Sequence, residues 1–250
     1  MQKIQVMGEP AGRHLISDCV NIHALNAGEV EELYHLYNKY YAATTFASFE
    51  SDFSKKNKVI LLRNENHGIE GFSTLEISSE KFGGQEIHVL FSGDTIIDEA
   101  YWGTQALSRK FLEVTGELYR EHMELPFYWF LIVKGHRTYR YLETFFKDYY
   151  PCHIAGQGDE LKPLVGELAR RRFGKIYNDT TGTLNFPESH GHLRKAWADI
   201  PAKHQARQSV KFFLEKNPNY RQGDELVCLC KLSPENFKVA FARRIFETGT

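Results

Sequence analysis

The segment LPFYWFLIVKG, residues 125–135, constrains the fold most, because it reads as a strand that is apolar on both sides. A strand with one exposed face alternates apolar and polar residues, whereas positions 127–133 carry no charged side chain. We therefore predict a central strand in a sheet that helices cover on both faces. With 250 residues, 42% of them hydrophobic and including 18 Phe and 13 Tyr, the chain can fill such a core.

Amphipathic helices and an antiparallel hairpin are predicted around this strand. NAGEVEELYHLYNKYYAA begins with Asn26 and Glu29 at capping-box spacing. Residues 58–63 and 68–77 flank the polar turn NENHG and predict a hairpin. The helix should bury one apolar stripe, formed by Val30, Leu33, Tyr34, Tyr37 and Tyr41.

A third strand and two further helices complete the predicted core. QEIHVLFSGDTIID is strand-like and is interrupted by Gly93, which predicts a bulge or bend. A helix follows Gly103 and runs to about residue 121, because apolar side chains recur there at helical spacing. HRTYRYLETFFKDYYP predicts a second helix, which ends at Pro151.

The last hundred residues show a less regular pattern. Two helices are predicted here, over DELKPLVGELARRRFG and over AKHQARQSVKFFLEKNP. A strand is predicted over DELVCLCKL and a loop over NDTTGTLNFPESHGH. SPENFKVAFARRIF predicts a final helix with Ser233 as its cap and Pro234 at its first position. Because no repeat or linker interrupts the chain, we expect one α/β domain over residues 1–250.

Charge and hydropathy narrow the classes of partner. The 31 Lys and Arg nearly balance the 32 Asp and Glu, so no global field favours a nucleic acid or a membrane surface. The amino-terminal residues lack the apolar region of a secretory signal, and no apolar stretch approaches the roughly 20 residues that span a bilayer. We expect a cytoplasmic protein without a membrane span.

Cysteine and histidine spacing does not predict a metal site. Cys228 and Cys230 alternate on a strand and suit a core, because neither a second cysteine pair nor a His-x-x-x-His partner completes a zinc set. His190 and His192 lie in a loop with no third ligand in view. We expect no bound metal.

The passage IIDEAYWGTQALSRKF, residues 96–111, places Gly103 where a strand ends and a helix begins. The first amide groups of a helix have no intrahelical acceptor, and the helix dipole adds partial positive charge there. Glycine allows an anion to approach the backbone, and Arg109 and Lys110 could add charge at the rim. The passage predicts an anion site.

The hairpin, the third strand, the turn EAYWGTQAL and the following strand and helix resemble the GNAT superfamily of N-acetyltransferases. YWGTQAL is similar to the Y-[RW]-G-K-G loop with which that superfamily holds the pyrophosphate of acyl coenzyme A. The resemblance spans residues 25–150 and implies a mixed, mostly antiparallel central sheet flanked by helices, with residues 151–250 as an extension that completes the sheet and shapes the acceptor side. It also implies that Ile96, Ile97 and Asp98 border the pantetheine arm and that the amides of Tyr101, Trp102, Gly103, Thr104, Gln105 and Ala106 wrap the pyrophosphate.

The loop departs from the family pattern at two positions. Gln105 replaces the second glycine and Trp102 replaces the basic residue before the first. Members that take acyl groups from an acyl carrier protein relax this loop, so acyl-phosphopantetheine on a carrier is an alternative donor to acyl-CoA. The basic run ARRRFGK, which begins at Ala169, is either a dipole-stabilised helix end or a docking surface for that acidic carrier.

Acyl transfer to an amine needs a base for the ammonium proton and an acid for the leaving thiolate. His88 on the third strand is the candidate base, and Asp94 shares its strand face by period-two alternation. Glu99 could hold an acceptor ammonium. Tyr141 is the candidate acid, with Tyr139 and His136 as alternatives. Tyr139 and Tyr141 diverge by about 200° on a helix, so at most one can face the site.

Two functions follow from these features. The first is an N-acyltransferase that moves an acyl group from a thioester to an amine-bearing small molecule or peptide, without a covalent enzyme intermediate. The second is a GNAT-like module that binds or regulates but does not turn over, which the departure at Gln105 favours. Thiol release from a thioester in the presence of amines discriminates between them.

Overall fold

The computed structural model describes residues 14–186 and 191–247. Its strands are β1 Ile16–Asn21, β2 Tyr41–Ala42, β3 Lys58–Arg63, β4 Ile69–Phe82, β5 Gln85–Ile97, β6 Phe127–Val133, β7 Tyr177–Asn178, β8 Thr183–Leu184, β9 His192–Leu193 and β10 Glu225–Lys231. Its α-helices are α1 Ala27–Tyr40, α2 Phe46–Phe53, α3 Ala106–Glu121, α4 His136–Phe145, α5 Lys162–Phe173, α6 Lys195–Ala198, α7 Ala202–Gln205, α8 Gln208–Lys216 and α9 Val239–Ala242. A π-helical turn, Arg243–Glu247, follows α9.

Eight strands form one sheet in the order β1-β3-β4-β5-β6-β10-β8-β7. Neighbouring strands are antiparallel except for β5 and β6, which are parallel. β2 and β9 form a separate two-stranded pair. The predicted mixed α/β fold, with a mostly antiparallel sheet flanked by helices, is confirmed.

Helices cover both faces of this sheet, as the apolar central strand predicts. On one face Trp129 and Leu131 of β6 belong to a buried cluster with α3, α4 and α8. On the other face Phe130 packs with α5, and α1 and α2 cover the part of the sheet nearer β1. The side chains of β6 therefore point into two cores.

The parallel pairing of β5 with β6 is short and positions the candidate site. His88 to Ser92 pair with Phe127 to Leu131, and β5 then continues to Ile97 beside β4 alone. A register shift between Ser73 and Leu75 of β4 leaves Gly93 and Asp94 as a bulge on β5, where the sequence predicts one. The two parallel strands separate beyond this bulge.

Local sequence signals account for most of the elements. The Asn26 side chain accepts from the Glu29 amide and the Glu29 carboxylate accepts from the Asn26 amide, so the capping box is confirmed. The hairpin 58–63 and 69–82 and the helix ending at residue 121 also follow the prediction. The predicted loop after residue 177 contains β7 and β8 in its described part, and the segment from Ala202 forms two helices, α7 and α8.

Two predicted helix bounds are wrong. α4 ends at Phe145, because Phe146 and Tyr150 leave the helix to form β-bridges with Phe237 and Leu229. Ser233 does not cap a helix, since α9 begins only at Val239. The backbone between β10 and α9 is held instead by the side-chain amide of Asn236, whose Nδ2 donates to the Asp148 and Lys231 carbonyls.

No helix among residues 14–186 and 191–247 has the length and apolar character needed to cross a bilayer. Cys228 and Cys230 are free and buried in β10, where they contribute to the core. His190 lies outside the described residues, and His192 lies on β9.

Candidate acyl-transfer site

A narrow pocket opens where β5 and β6 separate, between α3 and α4. It has a cavity volume of about 10 Å³, room for about one water molecule. Ser92 Oγ accepts a hydrogen bond from Trp129 Nε1 at 2.8 Å, and Ser73 Oγ and Thr95 Oγ1 lie 2.8 Å apart. The pocket is lined by Ser73, Ser92, Thr95, Leu107, Ser108, Phe111, Trp129, Thr138, Tyr141 and Phe145.

Tyr141 is the phenol of α4 that lines this pocket. Its ring stacks on Phe145 with centroids 5.6 Å apart, and burial raises the pKa of its hydroxyl, so it is protonated at neutral pH. Tyr139 is fully buried, and its Oη donates to the Pro151 carbonyl at 2.8 Å. Burial, Arg137, His204 and Arg140 lower the pKa of His136 to about 3, so His136 is neutral and holds no proton of suitable acidity. Of the three candidates, Tyr141 is the proton donor next to the pocket.

Asp94 lies in the bulge of β5, beside the point where the two strands part. Burial and the Asp52 carboxylate raise the pKa of Asp94 to about 6, and the ammonium groups of Lys134 and Lys56 offset part of that rise. A carboxyl group with this pKa is ionised at neutral pH yet close enough in basicity to accept a proton. The bulge therefore carries a carboxylate whose pKa lies close to neutral pH.

A polar cluster surrounds Asp94: the charges of Lys134 and Glu225 act on its carboxyl group, and its charge acts on Tyr37 and Tyr41. Lys134 Nζ lies 3.3 Å from Glu225 Oε1 and 5.3 Å from the centre of the Tyr41 ring. The rings of Tyr37 and Tyr41 stack at 4.6 Å. Burial, together with the nearby charge of Asp94, raises the pKa of both tyrosines, which are therefore neutral donors.

A segment of the carboxy-terminal extension packs beside this polar cluster. β9 pairs with β2, so that Leu193 lies opposite Tyr41 and His192 opposite Ala42. A methyl group added at Gly191 would lie 3.4 Å from the Tyr37 hydroxyl, so the backbone there approaches the polar cluster closely. Glu225, also from the extension, belongs to the cluster.

The turn between β5 and α3 is built from its own side chains. Asp98 accepts from Lys39 Nζ at 2.6 Å and from the Ala100 amide at 3.0 Å. Burial alone would raise the pKa of Asp98, but these hydrogen bonds hold it below its usual range. Trp102 Nε1 donates to the Ile97 carbonyl at 2.8 Å, which fixes the indole against the end of the strand.

Part of this turn leaves its amides unused. The amides of Tyr101, Trp102 and Thr104 donate to backbone carbonyls within the turn. In the described chain, no acceptor takes the amide hydrogens of Gly103, Gln105, Ala106, Leu107 or Ser108. Gln105 makes no side-chain cap, and its exposed side chain leaves the α3 amino terminus open. Gly103 has φ +96°, and nothing lies within 4 Å of where its Cβ would be.

A basic cluster lies beside this open helix end. The Arg137 guanidinium lies 3.8 Å from the centre of the Trp102 ring, and Arg140 Nε is buried without a hydrogen-bond partner among the described residues. His136 Nε2 and His204 Nδ1 are 3.1 Å apart, and the charges of Arg140, Arg137 and Arg207 reach His204. Positive charge therefore accumulates along α4, on the side that faces Trp102 and His204.

The arginines of ARRRFGK, in contrast, already have partners. Arg170 pairs with Asp179, Arg171 with Glu167, and both terminal nitrogens of Arg172 donate to Glu76, at 2.8 and 2.6 Å. This end of α5 forms ion pairs with its own neighbours.

Some of the predicted site residues lie away from the pocket. His88 is six residues before Asp94 on β5, and its ring nitrogens lie 3.1 Å from Ser79 Oγ and 3.0 Å from Glu124 Oε1. Glu99 is exposed, 3.8 Å from Lys39 Nζ. Ile96 is buried against α1 and α2, and Ile97 packs towards the α3 layer, so neither side chain lines the pocket.

Sequence reasoning missed Lys134, Glu225 and the basic cluster. Lys134 ends the apolar run FLIVK and Glu225 opens ELVCLC, so a lone charge at the end of a buried strand was the available signal. Arg137 and Arg140 lie on α4 and Arg207 directly precedes α8, so only the fold brings them together.

No protein-family model matches the chain, and no curated protein matches it. Among solved structures, a probable N-acyltransferase from Enterococcus faecalis V583 matches at 14% identity and a TM-score of 0.41, over 54% of this chain and 33% of that one. A GNAT-family N-acetyltransferase from Escherichia coli, solved with CoA, matches at 11% identity and TM-score 0.38, over 55% and 71%. An acyl-CoA N-acyltransferase from Pseudomonas aeruginosa matches at 13% and 0.38, over 54% and 91%. At these values the matches describe partial structural likeness, and this chain spans about a third of the length of the first of them.

Proposed function

We propose that the protein is an N-acyltransferase that moves an acyl group from a thioester to an amine by direct attack. The observation that carries the proposal is the separation of β5 from β6 after Ser92 and Leu131, with Tyr141 lining the gap and Asp94 on the bulge beside it. A thioester inserted between the separated strands would have the Tyr141 phenol in the pocket and the Asp94 carboxylate on the bulge of the adjoining strand.

The residues support one sequence of events. The acceptor nitrogen, deprotonated by Asp94, attacks the thioester carbon, and the carbon–sulfur bond breaks. The departing thiolate takes the proton of the Tyr141 hydroxyl, the second proton of the acceptor nitrogen passes to the Tyr141 phenolate, and Asp94 releases its proton to solvent. The products are an amide and a free thiol. Tyr37, Tyr41 and Glu225 line the side from which a cationic amine would enter, and the buried carboxylates there favour an ammonium over a neutral or anionic acceptor.

The open end of α3 and the basic cluster suit a donor that carries phosphate. Acyl-CoA and the acyl-phosphopantetheine of a carrier protein share this chemistry, since both present a phosphate at the end of a pantetheine arm. The small pocket requires α3 and α4 to part, or the Tyr141 side chain to turn, before the arm can enter. We assign no metal to the reaction.

A second candidate is a GNAT-like binding module without turnover. The cavity of about 10 Å³ favours it, because the gap does not hold an acyl chain in its present form. Under this reading the basic cluster still binds a phosphorylated ligand, but no thiol is released.

Thiol release distinguishes the two. Purified protein is mixed with acetyl-, octanoyl- and palmitoyl-CoA, and with the same acyl groups on a carrier protein, together with a pool of amines. Amine-dependent thiol release that falls at least about a hundredfold in Asp94→Asn supports the transferase. Binding of these donors without release from any of them supports the module, and neither binding nor release removes both.

A further inference from the structure

A second cluster of ligand-type side chains lies at the opposite end of β5, away from the pocket. His88, His122 and Glu124 each offer one ligand atom, and these atoms lie within 4.8 Å of one another. The rings of His88 and His122 are 4.5 Å apart between centroids, and His88 Nε2 is 3.0 Å from Glu124 Oε1. The sequence places His122 and Glu124 two residues apart, but only the fold adds His88.

Backbone contacts hold the three residues in this arrangement. His122 caps the carboxy terminus of α3, where its amide donates to the Leu118 carbonyl at 3.0 Å. The His88 amide donates to the Pro126 carbonyl at 2.9 Å, which ties β5 to the turn that carries Glu124. Phe127 packs its ring against both imidazoles, at 6.2 and 5.8 Å, and forms an apolar wall beside them.

The remaining nitrogen of His88 is also engaged. Its Nδ1 lies 3.1 Å from Ser79 Oγ, while Nε2 faces the other two groups. A hydrogen bond to the second ring nitrogen is the usual means by which a protein fixes the tautomer and orientation of a metal-binding histidine. A structural His–Glu pair does not need a third ligand-type side chain, yet the His122 ring lies 4.5 Å from that of His88 between centroids.

We propose that His88, His122 and Glu124 bind one divalent transition-metal ion of the Zn²⁺ type. Two imidazoles and a carboxylate are a zinc ligand set, whereas Mg²⁺ and Ca²⁺ prefer oxygen ligands. Bond lengths of about 2.0–2.1 Å would place tetrahedral ligand atoms about 3.4 Å apart. The ligand atoms can move from within 4.8 Å of one another to this distance, because Glu124 is exposed and His122 is only half-buried.

The ion would be structural and would take no part in acyl transfer. His88 and Asp94 are six residues apart on one strand, which corresponds to about 20 Å. The ion would join β5 to the end of α3 and to the turn before β6, where the short parallel pairing links only β5 and β6. Because the proposed acyl-transfer site lies elsewhere, this inference holds or fails independently of it.

Cobalt provides the direct test. Co²⁺ is titrated into chelator-treated protein and followed by visible absorption, since low-coordinate Co²⁺ with nitrogen ligands absorbs far more strongly than the hydrated ion. We expect a spectrum that saturates at one equivalent, is bleached by Zn²⁺, and is accompanied by a rise in Tm. Glu124→Gln and His122→Ala should each weaken binding at least about tenfold.

Two controls make the outcome decisive. His23→Ala removes an exposed histidine, and His204→Ala breaks the other close imidazole pair, His136 with His204; both should bind Co²⁺ as the unaltered protein does. Glu124 is exposed, so its variant tests the site without disturbing the core, and circular dichroism confirms the fold. Absence of a saturating spectrum, equal affinity in Glu124→Gln, or loss in His204→Ala instead would overturn the proposal.

Discussion

Ser92 of β5 and Leu131 of β6 are the last paired residues of the two parallel strands. Beyond them β5 bulges at Gly93 and Asp94, and β6 goes on beside β10. A sheet normally pairs every backbone group of its central strands, so such a separation within a core calls for an explanation. A ligand arm inserted between the strands provides one.

Asp94→Asn is expected to lower the rate of thiol release by about 10²- to 10⁴-fold, because the amide cannot accept a proton. The pKa of Asp94 is raised to about 6, so the carboxyl is protonated below that pH and ionised above it. The rate of the unaltered protein should rise with pH up to about 6 and then level off. The pH–rate profile of kcat/KM checks this.

The control for that profile is the variant itself. The acceptor amine titrates identically in both proteins, so only the limb near pH 6 should vanish in Asp94→Asn. A limb that persists in the variant would assign the base to another group.

Asp94→Asn should raise the stability of the protein at pH 8, although it lowers the rate of thiol release. The folded pKa of about 6 lies above the ordinary 3.8, so the native state binds more protons than the unfolded chain between these values and loses stability as pH rises through them. At pH 8 the raised pKa of Asp94 lowers the free energy of unfolding by up to about 3 kcal/mol. Asp94→Asn should therefore unfold at a higher denaturant concentration than the unaltered protein at pH 8, with the difference shrinking at pH 4.

Asp199→Asn serves as the comparison for stability. Asp199 forms an exposed ion pair with Arg221 at 2.8 Å, and such pairs contribute little. Its unfolding curves at pH 4 and pH 8 should follow those of the unaltered protein. If Asp94→Asn does the same, the carboxyl is not destabilised by its surroundings.

Tyr141→Phe is expected to lower kcat by about a hundredfold while leaving KM for the donor nearly constant, since only the proton for the thiolate is lost. The matched variant is Tyr139→Phe, on the same helix. It removes the buried hydrogen bond to the Pro151 carbonyl and should cost about 1–3 kcal/mol of unfolding free energy without changing kcat. Equal effects of both variants on kcat would remove the catalytic role of Tyr141.

The sequence predicts the core well because its signals are local. Apolar residues 127–133 indicate a strand buried on both faces, Asn26 and Glu29 mark the start of α1, and Gly93 marks the bulge. Each depends on residues close together in the chain. The existence and order of the core elements followed from such patterns.

Long-range contacts account for what the sequence did not predict. Lys134 and Glu225 are 91 positions apart and meet because β6 and β10 are neighbours. Two further pairs also join elements that are distant in the chain: Asp98 with Lys39, and His88 with Glu124. α4 ends early because Phe146 finds a β-bridge partner, Phe237, far along the chain. Periodicity carries no information on these pairings.

The anion site at the start of α3 can be tested with two isosteric substitutions at Gly103. Its φ of +96° strains any side chain, but Asn and Asp tolerate positive φ best, and a Cβ there meets nothing within 4 Å. Gly103→Asn and Gly103→Asp therefore share the strain and differ in charge. Beside the open amides of Gln105 and Ala106, the carboxylate should compete with a phosphate of the donor.

We expect Kd for acyl-CoA, measured by calorimetry at low salt, to rise roughly tenfold in Gly103→Asp relative to Gly103→Asn, and the gap to narrow as salt screens the charge. The pantetheine thioester without its nucleotide and phosphates is the control ligand, and it should bind the two variants equally. Equal Kd values for acyl-CoA would place its phosphates away from the α3 amino terminus and leave the Arg137 and Arg140 cluster as their site.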